Sequence, residues 1–137
     1  MSKIGIAVAG FLLASLMLLP GNADAAQEGT ELEQGRYLVH QVARCIECHS
    51  PRNARGEIDR SRLLMGAPIP FESPFGTPWA FQAPALAGLP GWDSKEVVHI
   101  LTTGRRLSGH QPRAPMPQYR LRSADAEAVV TYLASLR

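Results

Sequence analysis

One short run in this sequence could do chemistry as a unit. Cys45 and Cys48 sit one helical turn apart in Cys45-Ile46-Glu47-Cys48, and His49 follows directly. Two thiols at that spacing can each add to a vinyl group of a haem, and the adjacent histidine then lies below the iron as a ligand. The chain has 2 cysteines, so this use exhausts its thiol chemistry. Three other uses compete for the same residues. One is the structural disulfide common in exported proteins. Another is a dithiol redox pair, which needs a strand-helix-strand context that the proline-rich sequence after His49 does not supply. The third is a zinc site, which would need a fourth ligand from His40, His99 or His110 without the usual second pair.

A haem iron held by His49 has a second axial position, and Met116 in Ala114-Pro115-Met116-Pro117 is the candidate for it. Prolines on both sides fix the local backbone and remove donors, so a loop can present the thioether to a metal without helical support. Filling a core gap is the commoner work of a methionine. Met65 is the next candidate for the iron and His110 the one after it.

The elements that must position these residues can be outlined from periodicity. Leu38, Val42 and either Tyr37 or Val39 fall at helical spacing behind acidic residues, which predicts a helix from about Leu32 to Ala43 that delivers the chain into Cys45. Gly35 inside it costs about 1 kcal/mol relative to Ala, a cost that a close helix crossing could offset. Pro51, Pro68, Pro70, Pro74, Pro78, Pro84 and Pro90 make the stretch from Ser50 to Gly91 irregular. So long an irregular segment needs an organiser other than its own backbone, such as a large buried cofactor. Asp93 or Ser94 can cap a helix from about Lys95 to Thr103 that ends at Gly104. Ser123 is expected to cap a final helix with Ala126, Val129, Val130, Leu133 and Leu136 on one stripe. No sheet is expected. Trp79 and Trp92 read as haem-packing or core residues, and His40 and His99 receive no role.

The N-terminus carries Lys3 and then the apolar run Ile4 to Leu19, closed by Pro20-Gly21 and by Ala23-Asp24-Ala25. This is a secretory signal pattern, so residues 1–25 are expected to be a signal peptide cleaved before Ala26, with export to the periplasm. The run is shorter than the roughly 20 residues that span a bilayer, and a membrane contact is expected only if the segment is kept. Residues 26–137 are then one domain with one core. A net charge of +2 gives no reason to expect nucleic acid.

These residues resemble a known family, the class I single-haem cytochromes c, and most closely the cytochrome c domains that serve bacterial periplasmic dehydrogenases. The resemblance runs from about Gly35 to Leu136. It rests on Gly35-Arg36-Tyr37-Leu38, Cys45 to His49 with Ser50-Pro51-Arg52-Asn53, Pro74-Phe75-Gly76-Thr77, Gly91-Trp92-Asp93, Gly104-Arg105, Pro115-Met116-Pro117 and Tyr132-Leu133. It implies an all-α fold of about three main helices, with long loops wrapped around one covalently bound haem c. It also implies that the first and last helices cross, with Gly35 and Tyr37 packed on Tyr132 and Leu133. Pro84 would accept the His49 Nδ1 proton on its carbonyl, fixing the ring and raising its basicity.

Axial His49 and Met116 would leave the iron no open position, so the function implied is one-electron transfer and not catalysis. A periplasmic dehydrogenase is the expected donor and an oxidase or another cytochrome the expected acceptor. The alternatives are a haem c subunit or domain of a larger oxidoreductase, or a haem enzyme or sensor with an exchangeable sixth ligand. Many dehydrogenase cytochrome subunits of this kind carry three haem motifs and a membrane tail. One motif and no C-terminal apolar segment here imply a small soluble carrier. Finally, Val97 to Ala124 holds Arg105, Arg106, Arg113, Arg120 and Arg122 without a carboxylate. These arginines are candidates for neutralising haem propionates or for a positive rim that steers an acidic partner.

Overall fold

The computed structural model describes residues 21–136, so most of the expected signal peptide lies outside the described residues. Helix α1 spans Gly21–Tyr37 and passes without a break into a π-helical turn, Leu38–Val42. The expected helix therefore exists but starts earlier and ends differently. In the π turn Ala43 N donates to Leu38 O at 2.8 Å and Cys45 N to Val39 O at 2.9 Å. The extra residue per turn rotates the buried face: Leu38 and Val39 are buried, Val39 completely, whereas Tyr37 and Val42 are 52% and 53% exposed. Arg44, at φ 52°, then turns the chain into the four-residue helix α2, Ile46–His49, with Cys45 at its N-cap.

After α2 the proline-rich stretch is irregular, as its composition requires. It contains a 3-10 turn at Arg60–Arg62 and two short strands, β1 (Ala67–Pro68) and β2 (Gln82–Ala83). The strands pair antiparallel with Ala67 opposite Ala83, a small sheet where none was expected.

Helix α3, Ser94–Thr103, is capped by Asp93, whose carboxylate accepts from Lys95 N and Glu96 N, and it ends at Gly104 in the left-handed region. Helix α4 spans Ser123–Ser135. Its N-cap is Arg122, without a side-chain cap bond, so Ser123 begins the helix and does not cap it. The expected stripe is present: Ala126, Val129, Val130 and Leu133 are buried and Leu136 packs against them.

Helices α1 and α4 cross at Gly35. A Cβ there would collide with the Ala128 carbonyl and come within 2.7 Å of Tyr132 Cβ, so the close approach admits only glycine. The expected partner Tyr37 stays outside this crossing. Instead His40 Nε2 and Tyr132 Oη form a 2.7 Å hydrogen bond. The core joins Leu38 and Val39 of the π turn to Leu64, Leu89, α3 through Val97 and Leu101, and the α4 stripe. Among the described residues no helix is long and apolar enough to cross a membrane.

Candidate haem site

One side of this core opens into a cavity of about 580 Å³, walled by the α2 turn, the β2 segment, α3 and the loop before α4. That volume lies in the range of cofactor and ligand pockets. Cys45, Cys48, His49, Pro84 and Met116 all line it, as does His110. Met65 is outside the lining and 60% exposed. Of the two tryptophans Trp92 forms part of the wall. Trp79 lies beside the lining residue Ala80, and its Nε1 is buried with no hydrogen-bond partner among the described residues.

The His49 ring is buried, and its Nδ1 lies 2.7 Å from the Pro84 carbonyl. A carbonyl only accepts, so Nδ1 carries the proton and Nε2 keeps the lone pair that a metal needs. Burial pushes the His49 pKa below that of an ordinary histidine, with the Pro84 bond pulling weakly the other way. The ring is therefore neutral at neutral pH, the form that ligates.

Backbone contacts set the position of Pro84. Gly66 N donates to His49 O at 2.8 Å, and Leu64 O accepts from Leu86 N at 2.7 Å and Ala87 N at 3.0 Å. The buried Ser50 hydroxyl accepts from Leu64 N at 2.9 Å. Gly66 sits at φ +80°, and a Cβ there would lie 2.9 Å from Ala85 N and 3.0 Å from Ala83 O. The segments before and after the hairpin thus close around His49 because one residue lacks a side chain.

Cys45 and Cys48 form no disulfide with each other. Burial raises the Cys45 pKa to about 11, which disfavours the thiolate that dithiol redox chemistry uses. Among the described residues no group of three or more His, Cys, Asp or Glu could hold a metal ion by itself, so the zinc alternative finds no ligand set. His40 is engaged with Tyr132. On the outer face of α2, Glu47 pairs with Arg44 at 2.8 Å and Arg52 at 3.3 Å.

The opposite wall comes from the loop that carries Met116. Ala80 N donates to Ala114 O at 2.7 Å and Met116 N to Arg113 O at 3.2 Å. Tyr119 also lines the cavity, and its hydroxyl donates to Ala43 O at 2.7 Å. Of the five arginines between Val97 and Ala124, Arg106 and Arg113 reach the wall, with the Arg106 guanidinium 4.9 Å from the Trp92 ring centroid. Arg122 instead pairs with Asp125 at 2.8 Å. Tyr119 and the Arg106–Trp92 stack are invisible to pattern reading, because neither lies in a periodic segment.

The residues present fit a haem. The cavity is mainly apolar, offers two thiols one turn apart and one buried neutral imidazole, and has a thioether in its wall. The family comparison agrees, since residues 32–137 match the Cytochrome c family model. The chain belongs to the cytochrome c family. Its fold is that of the class I members, and its cofactor is a covalently bound haem c with its iron.

Relatives include the fructose dehydrogenase cytochrome subunit of Gluconobacter japonicus, 36% identical over 110 residues. That match covers 75% of this cytochrome c and 21% of the relative. A diheme cytochrome c-type protein of Cereibacter sphaeroides is 45% identical over 62 residues, 43% of this chain and 21% of that one. A nicotinate dehydrogenase subunit of Pseudomonas putida is 30% identical over 120 residues, 80% of this chain and 9% of that one. The chain thus spans about a fifth or less of the length of the curated relatives it matches.

Proposed function

We propose that this cytochrome c is a mono-haem electron carrier in which Cys45 and Cys48 form the thioether bonds and His49 and Met116 are the axial iron ligands. The observation that carries this reading is the meeting of the Cys45-to-His49 turn and the Pro115-Met116-Pro117 loop around one cavity. Bound haem supplies a one-electron couple, and histidine with methionine favours a relatively high potential. The chain supplies the holding: Pro84 orients His49, the α2 turn spaces the thiols, and the proline-flanked loop presents Met116. With His49 and Met116 both held to the iron, no position would be left for a substrate, which supports carriage and not catalysis.

The dehydrogenase names of two relatives support a dehydrogenase as electron donor, with a terminal oxidase or another cytochrome as acceptor. The N-terminal apolar run supports export to the periplasm by a signal peptide over residues 1–25. A second reading, a haem c subunit or domain of a larger oxidoreductase, is favoured by the much greater length of the relatives.

The test is chemical. After denaturation and acid-acetone extraction the wild type should retain its haem, and Cys45→Ser or Cys48→Ser should each impair attachment. Haem that extracts freely from the wild type would overturn the reading. Rapid carbon monoxide binding to the reduced native protein would move the function to an enzyme or sensor with an exchangeable sixth ligand. Co-purification of an intact dehydrogenase in fixed stoichiometry would favour the subunit reading.

A further inference from the structure

The loop that carries Met116 is held lightly. Residues 111–119 contain no helix or strand. Among the described residues two hydrogen bonds tie this segment to other elements: Ala80 N to Ala114 O, and Tyr119 Oη to Ala43 O, each 2.7 Å. Only the second is made by a side chain.

Its acceptor stands on firm ground. Ala43 closes the π turn, with its own N–H on Leu38 O, and lies two residues before Cys45, whose N–H is held by Val39 O. Val39 is fully buried. Tyr119 lies three residues after Met116, and its ring shares the cavity wall with Met116, Cys45 and Cys48. The bond therefore joins the segment that anchors one edge of the cofactor to the loop that faces it.

We propose that Tyr119 is the positioning residue for the sixth ligand, a latch that clamps the Met116 loop to the haem-attachment segment and sets how readily the thioether leaves the iron. This rests on Met116 being that ligand. The thioether can withdraw only if the loop swings outward. That motion separates Tyr119 from Ala43, so the bond exists in the ligated state and is lost in the open one. An external ligand that competes for the iron must break the latch, and a phenyl ring in place of the phenol removes it while keeping the packing.

The experiment uses the ferric holoprotein, with imidazole as the competing ligand and the weak far-red band of thioether-ligated ferric haem as the signal. Tyr119→Phe should bind imidazole about fivefold more tightly than the wild type, the effect of one neutral hydrogen bond on the opening equilibrium. Tyr132→Phe is the matched control. It deletes a hydrogen bond of the same 2.7 Å length at the helix crossing, so it should lower the denaturation midpoint and leave imidazole affinity unchanged. Wild-type imidazole affinity in Tyr119→Phe, or an equal rise in Tyr132→Phe, would overturn the proposal. Met116→Ala separates the two levels of inference. It should abolish the far-red band, and a band that survives it would sink the ligand assignment itself.

Discussion

A single methyl group at residue 66 should disturb both the stability and the potential of this cytochrome. Gly66 occupies the left-handed region at φ +80°, and a Cβ would stand 2.9 Å from Ala85 N, 3.0 Å from Ala83 O and 3.1 Å from Pro84 C. All three are backbone atoms, so no rotamer change relieves the contact. Left-handed backbone costs an L-residue about 1–2 kcal/mol. Pushing the Pro84 carbonyl away from His49 forfeits a hydrogen bond worth about 1 kcal/mol. The sum, about 2–3 kcal/mol, corresponds to a fall in Tm of about 8–12 °C at roughly 4 °C per kcal/mol for a domain of this size. The potential should rise, because an imidazole whose Nδ1 proton is less firmly accepted is a poorer donor to ferric iron. If the two redox states differ by about 0.5 kcal/mol in their use of that bond, the rise is about 20 mV, at 59 mV per tenfold for one electron. Thermal unfolding and protein-film voltammetry of Gly66→Ala would measure both. A wild-type Tm, or a lowered Tm with an unchanged or lowered potential, would refute the link from Gly66 through Pro84 to His49.

The other expectations concern sites away from that link. Gly35→Ala adds a methyl against the Ala128 carbonyl; overpacking of about 1–3 kcal/mol exceeds the gain in helix propensity of about 1 kcal/mol. The denaturant midpoint should therefore fall while the voltammetric potential stays put. Asp59 is held at a pKa of about 2 by hydrogen bonds from the Ser61 side chain first and from Arg62 next. A depressed pKa means the stabilisation is present above the ordinary carboxylate value and is lost as pH falls through about 2. Asp59→Asn should flatten the change in urea midpoint between about pH 4 and pH 2 relative to wild type. Arg113 lines the cavity, whereas Arg122 is paired with Asp125. Stopped-flow electron transfer from a donor dehydrogenase should thus slow more for Arg113→Glu than for Arg122→Glu at low salt. The difference should vanish near 1 M salt, where the Debye length is about 3 Å.

The parts of this molecule that were legible in the sequence are those fixed by local chemistry. The Cys45-to-His49 run stands out because the attachment and ligation proposed for it need adjacent residues, and the structure folds those residues into one turn. Asp93 and Gly104 mark the ends of α3 because a cap and a left-handed exit are properties of single residues. The α4 stripe reads directly because one face of a regular helix meets one core. Where the period changes, reading fails. The π turn at Leu38–Val42 shifts the phase of the apolar pattern, so Val42, expected inside, lies half out, and of the alternatives Tyr37 and Val39 it is Val39 that takes the core position. Ser123 has the chemistry of a cap, but the chain turns one residue earlier, at Arg122. The pairing of β1 with β2 involves two residues a side, too short to show alternation. Tyr119 reaches Ala43 across 76 positions, and no pattern in a proline-rich loop signals a contact at that range.

The two walls of the cavity are built to different standards, and that difference governs how the site should respond to perturbation. On the His49 side, one imidazole is fixed by a chain of short bonds. Pro84 O holds Nδ1, Gly66 N holds the His49 carbonyl, Leu64 O holds the chain beyond Pro84, and the Ser50 hydroxyl holds Leu64 N. Leu64 and Ser50 are almost wholly buried, so this network works in a dry setting where each bond is costly to lose. On the Met116 side, two bonds among the described residues tie the loop to its surroundings, and its residues are half-buried or exposed. Local opening follows the region with fewer buried contacts and more exposed backbone. Ligand exchange should accordingly proceed from the Met116 face while His49 stays in place. Changes behind His49 then appear as altered potential and global stability, and changes around Tyr119 as altered access to the iron.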